Sequence, residues 1–396
     1  MDTNLEPLGN TRVDNGGTRL DNSQGQDSYI GGARNTDPTY YQNLPSYYLN
    51  RDGGPTAADY ELAYEAQQSF LEDGQFDWNA LYGANVRSTN QGYNAIYAIQ
   101  EDRIDDKQLM ANIIFDTELN DNIRLNAAVN YRNLKSENFA LVSDLLGANT
   151  YLDVDFFSDE NIQSTDGVLT TAQSDLRNPN RLVTEGDRYK YNYEVDANVV
   201  SGFAQALFKY SKVDFYLAGN LSKTDYQRNG LYENGYFEGN SFGKGEKIEF
   251  NNFGVKAGAT YKISGKHLLD FNGAYMTKAP ITGNVFANAR QANMVLEDVD
   301  SETISSVDAS YIFRSSIVQA RLTGFYSKFE NGTDTGFFFS EGAGSNLVQE
   351  AITGIETQRV GGELGIEAQV TPTIKLKGVA SVGQFTYTNN PRPHLL

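Results

Sequence analysis

Two sets of side chains in this sequence have the chemistry to hold a solute. One is Tyr226, Arg228, Tyr232 and Tyr236 within a short span; the other is the run Phe337, Phe338, Phe339. Aromatic faces stack on sugar rings and flat ligands, and a guanidinium fork matches a carboxylate with two hydrogen bonds. The same residues can also pack one loop against another, so recognition and packing are both open at this point. A third set, Arg124, Arg132, Arg321, Arg359 and Glu363, falls on polar positions of alternating segments, where it would line a water-filled lumen or simply be solvated. None of these sets is spaced for bond-making. Cysteine is absent, which removes thiolates, disulfides and cysteine metal sites. His267 and His394 are too few for a histidine metal site or a histidine-based triad. The acidic runs "DVDFFSDEN" (153–161), "EDVDSE" (297–302) and "EDRIDD" (101–106) carry oxygens suited to Ca²⁺. None has EF-hand spacing, and a solvated charge run is the plainer reading. The expectation is binding without catalysis, with no cofactor and no resident metal.

Composition narrows the class. A formal charge of −19 argues against nucleic acid and against polybasic attachment to anionic lipid. The 25 Tyr, 22 Phe and 37 Gly suit strands and turns better than helical bundles. No run of about 20 apolar residues exists, which excludes a transmembrane helix. "MDTNLEPLGNTRVDNGG" is polar throughout and is no signal peptide. Either a soluble protein or a membrane β-barrel fits, since a barrel spreads its signal thinly over many alternating segments.

The elements that must position these residues fall into two parts. Residues 1–106 are the loop-rich part: 1–36 read as loop, and "DPTYYQNLPSYYLN" (37–50), with two prolines, as a packed aromatic loop. Residues 56–73 have helical spacing, with Thr56 as N-cap and "DGQFDW" as the stop. From 107 to 396 five hairpins follow. Leu109, Ala111, Ile113 and Phe115 turn through "NDN" into Ile123, Leu125, Ala127, Val129 and Tyr131. The pattern repeats around 202–221, 253–275, 307–326 and 362–382, with weaker strand candidates at 83–101 and 229–238. One face of each is apolar and the other wet.

Short turns join the strands within a hairpin, whereas the connections 133–197, 223–250, 277–303 and 330–353 are long. Compact soluble domains favour connections of about 4–6 residues. Strands of about 10–13 residues exceed the usual 5–6 and match the 9–11 or so that span a bilayer. Tyr131, Tyr210, Tyr261, Tyr275, Phe313 and Tyr326 tip the apolar faces as interfacial girdles would. The fold class expected is therefore all-β: an antiparallel transmembrane β-barrel with short periplasmic turns and long extracellular loops. In "VQARLTGFYSKFENGTDTGFFF" (Val318–Phe339), Val318, Ala320, Leu322 and Gly324 should face lipid, with Tyr326 at the outer interface. Gln319, Arg321 and Thr323 should face the lumen, and "ENGTDTGFFF" should form outer loop.

Several segments together carry a family resemblance: "DPTYYQNLPSYYLN", "GQFDWNALYGAN", "DRIDDKQLMANIIFDTELNDNIRLNAAVNYR", "GFAQALFKYSKVDFYLAGNLSKTDYQRNG", "SETISSVDASYIFRSSIVQARLTGFYSKFENGTD" and "ITGIETQRVGGELGIEAQVTPTIKLKGVAS". In their order and spacing the chain resembles the β-barrel part of a TonB-dependent outer-membrane receptor of the Bacteroidetes type. That resemblance implies a 22-stranded barrel closed by an N-terminal plug, sitting in the Gram-negative outer membrane. It implies energised uptake of a bulky nutrient such as a siderophore, oligosaccharide, peptide or cobalamin. The implied partners are outer-membrane lipid, the TonB–ExbB–ExbD complex acting through an N-terminal region, and a surface lipoprotein. The sequence departs from the pattern in having no plug or TonB box before Asp37, and "NNPRPHLL" lacks a closing aromatic strand. The expectation is a segment of about 10–12 of the 22 strands. A passive porin and a secreted β-rich binding or adhesion protein remain the other readings.

Overall fold

Alternation with a period of two, interrupted by very short turns, dictates a meander of antiparallel strands. A computed structural model, which describes residues 11–14, 36–51, 53–72, 74–154, 173–339, 347–391 and 393–395, shows that meander. The strands are β1 (Thr11–Asp14), β2 (Ala98–Asn120), β3 (Ile123–Asp144), β4 (Tyr151–Leu152), β5 (Leu182–Val183), β6 (Arg188–Lys209) and β7 (Val213–Gly230). They continue as β8 (Gly243–Lys262), β9 (His267–Lys278), β10 (Glu302–Arg314), β11 (Val318–Phe339), β12 (Leu347–Gln369), β13 (Lys375–Tyr387) and β14 (Pro393–Leu395). One sheet runs β1-β2-β3-β6-β7-β8-β9-β10-β11-β12-β13, with β14 added to β12; β4 and β5 pair separately. All five expected hairpins are present in register: Ala111 opposite Tyr131, Ala204 opposite Gly219, Ala257 opposite Gly273, Ala309 opposite Gly324, and Leu364 opposite Ala380. Among the described residues nothing pairs with the far edge of β13, and β2 is covered only by β1 over 98–101.

The strands are longer than the alternation indicated. β2 and β12 run 23 residues, and β3, β6 and β11 run 22. The reason lies beyond the aromatic tips, where the outward face turns polar and the two-faced pattern fades. There, cross-strand ion pairs and amide bonds take over from the apolar surface: Lys135 to Glu194 at 2.8 Å, Lys223 to Glu249 at 2.7 Å, Lys247 to Asp225 at 3.2 Å, and Asn133 to Asn198 at 2.7 Å. Each such pair is worth a few tenths of a kcal/mol up to about 1. The segment "ENGTDTGFFF" is accordingly strand, with Phe337 opposite Gln349, and not outer loop. "EDRIDD" likewise lies inside β2. The asymmetry of the ends remains: turns at 121–122, 210–212, 263–266, 315–317 and 370–374 face the longer connections 231–242 and 279–301 and the segments 145–154 and 173–187.

The apolar face is bare. Ile113 is 76% exposed and Leu221 70%, with Leu217, Val255, Phe271, Val307 and Leu322 also exposed. Aliphatic side chains cover its middle; Tyr131, Tyr275 and Tyr326 border it toward the connections, and Tyr210, Tyr261 and Phe313 toward the turns. From Val318 to Tyr326 this band matches the ~9–11 residues that cross a bilayer.

Helices occupy the N-terminal part: α1 (Pro45–Leu49), α2 (Ala57–Glu72) and α3 (Trp78–Asn90). At the start of α2, Thr56 donates its backbone N–H to Asp59 Oδ2 at 2.8 Å while its Oγ1 accepts from the Asp59 N–H at 3.3 Å, a reciprocal cap. α3 stands where a weak strand was expected at 83–101. Leu81, Ala84, Asn85 and Ser88, three and four residues apart, are its buried stripe. Asn85 pins that helix to the sheet. Its amide donates to Tyr97 O at 2.8 Å and Leu145 O at 2.7 Å, and its Oδ1 accepts from the N–H of Ile96 and of Tyr97. Every hydrogen-bonding position of the amide is used, so one side chain ties α3 to the entry of β2 and the exit of β3.

Two outcomes follow from the two-faced sheet. Leu322→Arg should cost about 2–4 kcal/mol in urea titrations of vesicle-folded protein, whereas Thr323→Arg on the opposite face should cost far less. Acid should loosen the polar strand extensions. Hydrogen bonds from Lys107, then Arg188, hold the Glu137 carboxyl below its usual 4.5. Its contribution is therefore complete above about pH 4.5 and is lost as pH falls through the lower folded value. Melting in detergent between pH 6 and pH 3 should show less acid sensitivity in Glu137→Gln than in the parent.

Candidate functional site

The polar face of the sheet carries Arg124, Arg132, Arg321, Arg359 and Glu363, and register places each of them. Near the turns, Arg124 grips Asp116 with Nε at 2.9 Å and Nη2 at 2.6 Å, and Asn126 joins the same carboxylate. Arg321 donates to Ser310 Oγ at 3.1 Å and lies 3.6 Å from Asp270. Together with Asp308, Thr323, Phe325 and Glu363, Arg321 lines a recess of about 720 Å³. Arg359 stacks 4.4 Å from the Phe329 ring centroid, and Arg132 shares this face on β3. On the opposite, apolar face, His267 opens β9, its Nδ1 2.6 Å from the Tyr311 hydroxyl.

The second concentration lies toward the long connections. Tyr226 and Arg228 were expected in a loop; both are in β7, on the polar face, because that strand continues to Gly230. The connection 279–301 folds back across them as a strap. Phe286 bridges to Val295, and Ala287 N–H donates to Met294 O at 2.9 Å, so the strap is a small hairpin of its own. Its Val285 and Phe286 are buried against Val195, Ala197, Tyr226 and Phe250. Polar ties complete the attachment. Tyr226 donates to Pro280 O at 3.0 Å; Arg228 Nε donates to Ala289 O at 2.6 Å, and its Nη1 to Ser241 O at 2.9 Å and Asn293 Oδ1 at 2.6 Å. From the other flank, Asn284 donates to Thr333 O and Gln349 to Ala287 O.

Arg228 is 2% exposed, and its hydrogen-bond acceptors are two carbonyls and an amide oxygen. Burial pulls its pKa down to about 10, opposed only by the Tyr193 phenol, whose ring centroid lies 5.0 Å away. Burial also raises the Tyr193 phenol, against the pull of Arg228 and Arg290. Gly230 makes the arrangement sterically available. A Cβ there would sit 1.7 Å from Ser241 O, the very carbonyl that Arg228 holds.

The other sequence candidates separate. Tyr232 accepts from Arg181 Nη2 at 2.9 Å and donates to Arg188 O at 3.0 Å, within a cluster where Arg181 also grips the buried Asp153 at 2.6 Å. Tyr236 lies in the 231–242 connection, exposed, edge-on to Phe237 at 4.8 Å. The side chains of Phe337, Phe338 and Phe339 lie outside the described residues, as does most of "DVDFFSDEN". Among the described residues no three His, Asp or Glu side chains converge as a metal set.

Sequence reading missed Tyr191, Tyr193 and Arg290. Tyr191 donates to Asp102 at 2.8 Å, and the Arg290 guanidinium, carried by the strap, sits 4.6 Å from the Tyr191 ring centroid. A signal existed in "RYKYNYEV", whose tyrosines recur every second residue, but 133–197 read as one long connection. The chemistry offered is cation, phenol and ring face together, suited to binding.

Gly230→Ala should detach the 231–242 connection from Arg228. The expected reading is a loss of roughly 1–3 kcal/mol in unfolding free energy, with hydrogen exchange at Ser241 raised more than at the turn 263–266.

No protein-family model and no curated protein matches the chain. Solved structures do. The copper transporter OprC superposes with a TM-score of 0.52 at 12% identity, covering 74% of this chain and 40% of that one. The FrpB iron transporter from Neisseria meningitidis follows at 0.45 and 13%, and the ferric-catecholate import receptor Fiu from E. coli K12 at 0.45 and 12%, with the same coverages. The chain thus spans about 40% of the length of these proteins. At such identity the likeness is one of fold: in architecture this chain is similar to a portion of the copper transporter OprC.

Proposed function

We propose that the chain forms part of the wall of a TonB-dependent outer-membrane transporter that takes up a bulky nutrient. The observation that carries this reading is the two-faced sheet. Its aliphatic band bordered by tyrosines suits hydrocarbon, and its opposite face, lined by Arg124, Arg132, Arg321, Arg359 and Glu363, suits an aqueous lumen. The fold likeness to a copper transporter supports transport as the general activity. In this reading the ion-paired strand extensions stand outside the membrane, with Tyr232 and Tyr236 at the solute entrance. Energy would come from the TonB–ExbB–ExbD complex, and a surface lipoprotein would meet the same entrance. Selective binding followed by gated passage, with no bond chemistry, is the expected mechanism.

The test is cellular. The full-length protein, expressed in a Gram-negative host, should fractionate with outer membranes and need detergent to stay monodisperse. Uptake of its nutrient, identified by growth on single iron, copper, glycan or peptide sources, should stop when TonB is deleted. TonB-independent uptake would make it a passive porin, and a monodisperse detergent-free protein would overturn the membrane reading altogether.

A further inference from the structure

Arg228 is a buried cation with no carboxylate among its hydrogen-bond partners, and that arrangement calls for explanation. Its partners in the described structure are neutral: Ala289 O, Ser241 O and Asn293 Oδ1. They employ Nε and Nη1 and leave Nη2 without a hydrogen bond among the described residues. Buried charges are normally paired, because an unpaired one forfeits hydration that neutral acceptors replace only in part. Two of its three partners, Ala289 and Asn293, belong to the strap 279–301. The third, Ser241, belongs to the connection whose Asn240 O accepts from the Asn293 N–H at 2.7 Å. Next to it on the same strap stands Arg290, partly exposed, against the Tyr191 ring. Tyr193 lies in electrostatic reach of both guanidinium groups. Two cations and two phenols therefore converge at the strap's crossing of β6 and β7, one cation near the surface and one beneath it.

We propose that this cluster is a binding subsite for a carboxylate- or phosphate-bearing solute, in which the anion takes Arg228 from its carbonyl partners and so releases the strap. Arg290, the less buried of the two cations, meets the anion first; the Tyr191 hydroxyl stays donated to Asp102. Arg228 then exchanges neutral acceptors for a charged one, which can take two parallel N–H donors of the guanidinium at once. The strap loses the guanidinium that holds Ala289 and Asn293, and the surface beneath it opens along β7. No covalent step is involved. The inference rests on the transport reading for its purpose and on the geometry of Arg228 for its substance.

Hydrogen–deuterium exchange on the detergent-solubilised full-length protein tests it, with succinate and inorganic phosphate as anionic probes and maltotriose as the neutral one. The expected result is faster exchange across 279–301 with either anion and none with the sugar. Arg228→Met should show fast strap exchange from the outset and no anion response. Arg290→Gln, compared with its own anion-free exchange, should weaken the anion midpoint by roughly tenfold, as loss of a charged hydrogen bond does. No anion response in the parent protein, an equal response to maltotriose, or an unchanged midpoint in Arg290→Gln would overturn the proposal. Exchange needs no energised membrane, so a TonB-independent uptake result would overturn the TonB-dependent reading without touching this one, and the converse also holds.

Discussion

Everything in this chain depends on strands being satisfied by their neighbours alone. Each long strand between β2 and β13 gives its N–H and C=O groups to the strands beside it, so its side chains divide cleanly between two environments. An aliphatic, aromatic-bordered surface can then face hydrocarbon without exposing backbone, which is the condition for crossing a bilayer with strands. The opposite face is free to carry charge. Arg124 with Asp116, Arg321 with Asp270, and the Asn272 and Asp308 pair at 3.0 Å are internal to that polar surface and cost the apolar one nothing.

The hairpins were legible because both signals agreed over the membrane-height stretch: alternation was strict, and turns such as "NDN" and "RSS" were short. Legibility failed where one signal weakened. Above Tyr131 both faces are polar, so periodicity says little about pairing; there, strand persists through Lys135–Glu194 and its neighbours, contacts a single segment cannot reveal. The same failure misplaced Tyr226, Arg228 and "ENGTDTGFFF" into loops. α3 was missed because its buried stripe, Leu81 to Ser88, includes Asn85, a polar residue whose burial depends on carbonyls about 12 and 60 residues away. The strap's location was not readable at all, since its anchors come from β7, the 231–242 connection and β12.

The two ends of the sheet are stabilised by different physics. Toward the turns the polar face is wide and its charges are neutralised in pairs, which suits solvation. Toward the connections it is filled: Val285 and Phe286 of the strap pack against Val195, Ala197, Tyr226 and Phe250, and α3 brings Leu81 and Ala84 against Tyr97 and Ile99. Burial there is what makes Arg228 sensitive to its partners, because the same guanidinium on the open half would exchange carbonyls for water with little effect.

The brevity of β9 and β10 has a consequence for where the water begins. β8 pairs with β9 only up to Gly254, opposite Met276, and β10 reaches no further than Glu302, opposite Lys278. Above that level β8 continues to Gly243 and β11 to Phe339 with no strand between them. The wall thus has a notch about 30 Å tall along the strand direction, at about 3.3 Å per residue. Backbone bordering a notch tolerates headgroups and water but not acyl chains. In the membrane reading proposed above, its sill, at Met276 and Glu302, therefore sets an upper limit on the hydrocarbon boundary, a waterline drawn by strand length independently of any tyrosine.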